Sequence, residues 1–339
     1  MADVARAAGV SPATVSRVIN RSGYVKARTR AQVENVLRAS GFVPSLAARA
    51  LGGGRTQLVG LIVPDVDNPV YLDILKGVNE ACRERHYNVV LGQYGEDESI
   101  IRESVLHLAS LNVDGIILSI PEFHRVDPRL YILPFVSHRI PIVQTGYAVP
   151  EFRIDAVGEN AEQTGRLAGE HLARSGYERI AVVGSTENPF TRGRMEGFRS
   201  AFREFGVPAE SIQLFDAELT VAGGHAAGIA LLAREPLPDA VFALNDVTAI
   251  GVLMAARELG IDVPGRLGVI GVDGIQLGTL VQPRLSTVAL PTLEIGRKLF
   301  ELLYDRVSGV YDGEARGLHV DGRLCARQST VSLNTIRGK

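Results

Sequence analysis

Eight polar or aromatic side chains in this chain stand where a small polar ligand could be held. Tyr71, Tyr94, Tyr147, Asn188, Arg192, Arg194, Asn245 and Asp273 each sit in a segment that follows a short apolar run. They offer donors, acceptors and flat rings, the set that orients a polar ligand within a pocket. Read alone, Arg194 is equally a surface ion pair and Asp273 equally a turn or helix cap. They do not make a catalytic set. The sequence contains no G-x-G-x-x-G, no P-loop, no H-E-x-x-H and no G-x-S-x-G elbow. The histidines at 86, 107, 124, 138, 171, 225 and 319 are scattered, mostly within predicted helices, and read as surface residues. Cys82 and Cys325 are far apart and in no metal-ligand spacing, which argues against a disulfide framework or zinc site and fits a reducing cytoplasm. No catalytic residue, metal or cofactor is expected.

A second group of residues suits a polyanion. Up to Gln57 there are nine Lys and Arg against Asp3 and Glu34, a net of +7 that leaves −9 for the remainder of a chain whose total is −2. A small basic head on an acidic body suggests a nucleic-acid module joined to something with another task. Residues 3–20 read DVARAAGVSPATVSRVIN. Val4, Ala5 and Ala8 share a helical face, Gly9 permits a reversal, and Ser11 with Pro12 supplies an N-cap followed by a proline at the first helical position. In the second helix Val15, Val18 and Ile19 make an apolar stripe, so Ala13, Thr14, Arg17 and Arg21 point outward. A third helix fits Thr29 to Ser40, with Val33, Val36 and Leu37 inward and Gly41 past its end. This is a helix-turn-helix with an arginine placed to enter a major groove.

The remaining residues must position the first group. At 339 residues two or three domains are expected. Apolar runs at 58–63, 87–92, 113–120 and 140–143 alternate with helical segments, and a second series follows at 179–184, 211–215, 239–244 and 267–272. Continuous apolar strands with crossover helices indicate parallel sheets covered on both faces. The fold class is therefore α/β: a helix-turn-helix headpiece plus two doubly wound parallel-sheet subdomains. Ligand sites in such sheets lie beyond the carboxyl ends of the strands, where the eight residues stand. No apolar run is long enough to span a membrane or serve as a secretory signal, so the chain is expected to be soluble and not exported.

DVARAAGVSPATVSRVIN, SLAARAL (45–51), NPVY (68–71), RGRMEGF (192–198), ALNDVTAIG (243–251) and VIGVDG (269–274) follow one another as in the LacI-type transcriptional regulators, the lactose-repressor and purine-repressor family, which the whole chain resembles. The resemblance implies a homodimer on palindromic operator DNA, with a small-molecule effector between two periplasmic-binding-protein-like subdomains crossed three times by the chain. It divides the chain into a headpiece at 1–43, a hinge and linker at 44–56, and an effector-binding and dimerisation domain at 57–339. Within that domain, subdomain one covers about 57–157 and 291–320, and subdomain two about 158–290 and 321–339. Pro12, Ala13 and Arg17 match positions that read base edges, while Thr14, Ser16 and Asn20 match phosphate and register contacts. Ser11 precedes them, and Ala48 and Leu51 complete the DNA-binding set from the hinge. Arg194, Asn245 and Asp273 match the commonest effector positions, and Tyr71 an aromatic wall.

The MADVA start lacks the threonine and aliphatic residue that usually precede Asp-Val-Ala in the family, which is compatible with a start further upstream. Gly146 and Tyr147 stand where an acidic residue is common, and Leu219 where an aromatic one is. The resemblance implies control by repression, with a sugar or sugar-like effector favoured over a purine. A transport-type binding protein would share the two lobes but open on a signal peptide, and an enzyme would need a nucleophile, base or metal site. Residues 45–51, followed by three glycines, form a helix too short to be stable alone. They are expected to become helical only when two copies meet over operator DNA, with Leu51 entering the minor groove.

Overall fold

A computed structural model describes residues 1–19, 23–41, 55–94, 98–119, 132–133, 135, 140–187, 189–208 and 212–330. The hinge expectation for 45–51 and the glycines at 52–54 lie outside these residues.

The headpiece is three helices around a small core: α1 (Ala2–Ala7), α2 (Pro12–Ile19) and α3 (Ala27–Ser40). Val4, Ala5, Ala8, Val15, Val18 and Val33 are buried together, with Ile19, Val36 and Leu37 packed against them. Helix α3 starts two residues before the Thr29 expected from its apolar pattern and ends at Gly41, whose φ of 61° is the left-handed conformation that closes a helix.

Two six-stranded sheets follow. The first, in order β11-β5-β4-β3-β1-β2, contains β1 (Leu58–Val63), β2 (Asn88–Gln93), β3 (Gly115–Leu118), β4 (Ile142–Thr145), β5 (Asp155–Glu159) and β11 (Gly317–Val320). The second, in order β12-β10-β9-β8-β6-β7, contains β6 (Ile180–Val183), β7 (Ile212–Phe215), β8 (Ala240–Ala243), β9 (Gly268–Asp273), β10 (Ser286–Ala289) and β12 (Arg323–Cys325). Every pairing is parallel except β12 against β10. The central strands β3, β6, β8 and β9 are buried throughout, as uninterrupted apolar sequence requires when helices cover both faces, whereas β2 and β7 at the sheet edges are partly exposed. The chain passes between the sheets after β5, after β10 and after β11.

The sequence reading located eight of these strands and missed β5, β10, β11 and β12. Strand β5 reads DAVGE, polar at both ends, so it lacks the apolar run that marked the others. Its polar start is held in place by charge. Asp155 is fully buried and accepts from Arg306 at 2.6 Å and Arg316 at 2.7 Å, contacts that outweigh burial and lower its pKa. Arg306 belongs to α10 (Thr292–Ser308), which packs on α4 (Pro69–Glu84) across one face of the first sheet. That anchorage fixes where the other end of β5, Glu159, emerges.

On the second sheet, α6 (Ala161–Arg174) begins directly after β5, capped by Asn160, whose side chain accepts from Gln163 N at 3.2 Å. It lies against α7 (Pro189–Glu204) at very short range. A Cβ on Gly165 would sit 1.8 Å from the Arg194 carbonyl, and one on Gly197 1.9 Å from the Glu162 carbonyl. Only glycine lets these two backbones meet, and the contact brings the start of α7 against the end of β5.

Candidate functional site

The first site is α2. Ser11 caps it, accepting from Thr14 N at 3.2 Å, and its hydroxyl lies 3.0 Å from that of Thr14. Burial of Val15 and Val18 turns Ser11, Pro12, Ala13 and Arg17 to solvent, with Thr14 and Ser16 half-buried beside them. One exposed helical face therefore carries a guanidinium with the reach for a guanine edge and small apolar surfaces suited to a thymine methyl. Asn20, Ala48 and Leu51 lie outside the described residues.

The second site lies between the sheets. A cavity of about 270 Å³ is lined from the first sheet by Tyr147, Glu159 and His319, and from the second by Glu162, Arg192 and Glu196. Tyr147 stacks on Phe190 with ring centroids 5.5 Å apart and planes 12° from parallel, and the His319 ring lies 6.1 Å from that of Tyr147. Burial and then the nearby Glu159, Glu162 and Glu196 carboxylates raise the Tyr147 pKa, so its phenol stays protonated and neutral.

Behind the cavity wall sits a buried charge cluster. Arg194 donates through Nε to Glu159 Oε1 at 2.9 Å and through Nη2 to the same oxygen at 2.6 Å. Its Nη1 donates to the Leu244 carbonyl, and Nη2 also reaches Asp273 Oδ1 at 3.4 Å. Burial opposes the charged guanidinium, but Glu159 and Asp273 outweigh it and hold its pKa above the ordinary value. Asp246 lies next to Asp273 and accepts from the amides of Gly274 at 2.8 Å and Ile275 at 2.9 Å. Burial pushes both carboxyls well above the usual range; the Asp273 charge adds to the shift at Asp246, and at Asp273 the Glu159 charge adds to it while Arg194 opposes it. Asp273 also carries a φ of 114°, a conformation that costs a non-glycine residue about 1–3 kcal/mol and that its partners must maintain.

The structure gathers some of the residues read from sequence and separates others. Tyr147 and Arg192 line the cavity directly, Arg192 also donating to the Thr186 carbonyl at 3.4 Å and the Glu187 carbonyl at 3.3 Å. Arg194 and Asp273 meet each other and reach the cavity through Glu159. Arg194 is a buried cluster member, which rules out the surface ion pair that its sequence alone left open. Asn245 caps α9 (Asp246–Glu258), accepting from Thr248 N at 3.0 Å and donating to the Leu219 carbonyl at 3.1 Å. Tyr71 packs against the core of the first sheet on the α4 side. Tyr94 is buried with Ile62, Ile101 and Val105 in that sheet's other core, where it packs and does not line the cavity. Asn188 lies outside the described residues. Sequence reasoning missed Glu162, Glu196 and His319 of the lining and, above all, Glu159. Glu159 ends an unrecognised strand, and the rule that ligands gather at carboxyl ends would have marked it had β5 been seen.

A basic three-helix headpiece joined to two doubly wound sheets with a polar cavity between them defines a DNA-binding regulator built on a ligand-binding frame. Comparison with known proteins gives the family. Residues 1–45 match the bacterial regulatory proteins of the lacI family, and residues 169–330 match the periplasmic binding protein-like domain. The chain is 33% identical to the HTH-type transcriptional regulator DegA of Bacillus subtilis over 98% of both proteins. It is 32% identical to the ribose operon repressor of Escherichia coli, over 91% of this chain and 93% of that one. It is 31% identical to the HTH-type transcriptional repressor PurR of Klebsiella pneumoniae, over 97% and 96%. Among solved structures, the transcriptional regulator CelR in complex with cellobiose matches with a TM-score of 0.72 at 30% identity, over 96% of this chain and 98% of that one. The lac repressor dimer bound to operator and the anti-inducer ONPF shares the fold at a TM-score of 0.83 and 22% identity, over 97% and 98%. The chain belongs to the lacI family: it is a DNA-binding transcriptional repressor and not an enzyme. No helix among the described residues is long and apolar enough to cross a membrane.

Proposed function

We propose that this repressor acts in the cytoplasm as a homodimer on palindromic operator DNA, and that a small polar effector, sugar or sugar-like, sets its operator affinity allosterically from the inter-sheet cavity. The observation that carries the reading is Glu159. It lines the cavity, its Oε2 is buried without a hydrogen-bond partner among the described residues, and its Oε1 holds Arg194 of the other sheet. A ligand that engages this carboxylate acts on the contact joining the two sheets, and any difference in that contact between two arrangements biases the equilibrium between them. The neighbouring aromatic stack and the polar lining suit a ring bearing hydroxyls. The ribose repressor and the cellobiose-bound regulator among the relatives support a sugar-like effector, while the PurR relative supports a purine. On the DNA side α2 presents Arg17, Ala13 and Pro12, with Ala48, Leu51 and Asn20 completing the interface, and the chain divides functionally at 1–43, 44–56 and 57–339.

The test is a thermal-shift screen of the full chain with ribose, cellobiose, glucosamine, adenosine, hypoxanthine and guanine, followed by operator binding with each stabilising compound. A compound present at 100 times its Kd stabilises by about 2.7 kcal/mol. The reading expects a compound that stabilises the protein, changes operator affinity about fivefold or more, and loses both effects in Tyr147→Ala. A stabilising compound that leaves operator affinity unchanged contradicts it.

A further inference from the structure

The cavity has a charge that its own residues do not balance. Glu159, Glu162 and Glu196 line it against one arginine, and that arginine, Arg192, donates to two carbonyls of the segment before its helix. Behind the wall Arg194 is buried and directed at Glu159 Oε1, Asp273 and the Leu244 carbonyl, so it offsets Glu159 and leaves Glu162 and Glu196 against Arg192. Glu159 is only 5% exposed, and its Oε2 has no donor among the described residues. A buried carboxylate oxygen without a donor is costly, and the cost is relieved by an opposite charge or a strong donor. We propose that the cavity takes a ligand bearing a positively charged amino group, an amino sugar in class, and that Glu159 Oε2 receives that group.

This inference rests on the proposed cavity reading and adds the ligand's charge to it. A neutral sugar donates to Oε2 but leaves the surplus of carboxylates in place. A phosphorylated or carboxylated sugar meets like charge from three glutamates. An ammonium group forms a charge-assisted hydrogen bond, roughly twice as strong as a neutral one. The ring of Tyr147, stacked on Phe190, adds a flat face for the sugar and a negative π surface for the cation.

The test is calorimetric titration of the full chain, at low and at physiological salt, with two matched sets: D-glucose, D-glucosamine and D-glucose 6-phosphate, and the corresponding galactose compounds. The amine of at least one set is expected to bind about tenfold more tightly than its neutral parent, with that preference narrowing as salt rises, and the phosphate not to bind. Glu159→Gln is expected to remove the preference. Glu162→Gln with Glu196→Gln changes two exposed residues and is expected to reduce it, which keeps the question answerable if Glu159→Gln does not fold. A neutral parent that binds as tightly as its amine, a phosphate that binds, or no binding by either amine overturns the proposal. A neutral sugar that binds in preference and is lost in Tyr147→Ala overturns the charge assignment alone. Binding of any of these compounds that survives Tyr147→Ala overturns the cavity reading itself.

Discussion

The headpiece and the inter-sheet cavity treat their polar side chains in opposite ways. In the headpiece a core of six small apolar residues fixes α2, and the residues left over, Arg17 and its neighbours, stand exposed. Behind the cavity wall the charged residues are themselves buried: Glu159, Arg194, Asp246 and Asp273 are each at most 7% exposed and hold one another across elements far apart in sequence. DNA brings its own rigid charge and requires only that a side chain be presented. A small ligand brings little, so a site proposed to sense one needs its charges wired into the fold. Mutations at the two places should therefore fail differently.

The largest difference is in stability. Arg194→Ala leaves Glu159, Asp246 and Asp273 buried around a missing cation, and breaking a buried pair in this way costs about 3–5 kcal/mol. Arg17→Ala, on an exposed face, should stay within about 0.5 kcal/mol. Urea unfolding of both variants measures the contrast, and equal midpoints would erase it.

Arg17→Ala should show its effect on DNA. Loss of a bidentate base contact costs about 1–3 kcal/mol and relaxes specificity at one symmetric pair of operator positions. Competition between operator variants tests this. A uniform loss over all sequences with a shallower salt slope would make Arg17 a phosphate clamp instead.

The cavity cluster should also make stability depend on pH. Asp246 and Asp273 have pKa values raised in the folded protein, whereas the unfolded chain ionises near the ordinary carboxylate value. Between those limits the native state binds more protons, so stability is greatest at the acid end of the interval and falls as pH rises toward neutrality. Each unit of pKa difference is worth about 1.4 kcal/mol. Asp155, with a lowered pKa, acts in the opposite sense and only below the usual carboxylate range. Unfolding measured from pH 5 to pH 8 should show the decline, and Asp246→Asn should flatten it. A flat or rising wild-type profile would show that the pair does not hold a proton.

The smallest effect belongs to the headpiece. Ser11→Ala removes the cap that accepts from Thr14 N and should destabilise the helix by about 1 kcal/mol, read as faster amide exchange in α2 with no change in the body of the protein.

The same contrast explains what was legible in the sequence. Helix α2 could be read almost to the residue because capping and a 3.6-residue apolar period are local signals, and its functional side chains are simply the ones the period leaves out. The sheets were legible wherever a strand was apolar throughout. β5 was not, because Asp155 and Glu159 at its ends are polar for reasons that lie elsewhere: two arginines from α10 and the loop after it, and one from α7. Tyr94 illustrates the converse error. It follows an apolar run as ligand residues do, but its ring is buried among aliphatic residues. Arg194 and Asp273 were identified by motif, yet their pairing spans 79 residues and no local pattern encodes it.

The account turns on coupling between the inter-sheet cavity and the DNA-reading helix. Linkage requires that coupling to be reciprocal: whatever factor a ligand applies to operator affinity, operator must apply to the ligand. The most direct measurement is titration of the stabilising compound into the free protein and into its operator complex. The account predicts two affinities differing about fivefold or more, by the same factor as the compound's effect on operator binding, with the difference abolished in Tyr147→Ala. Equal affinity in the presence and absence of operator would contradict it.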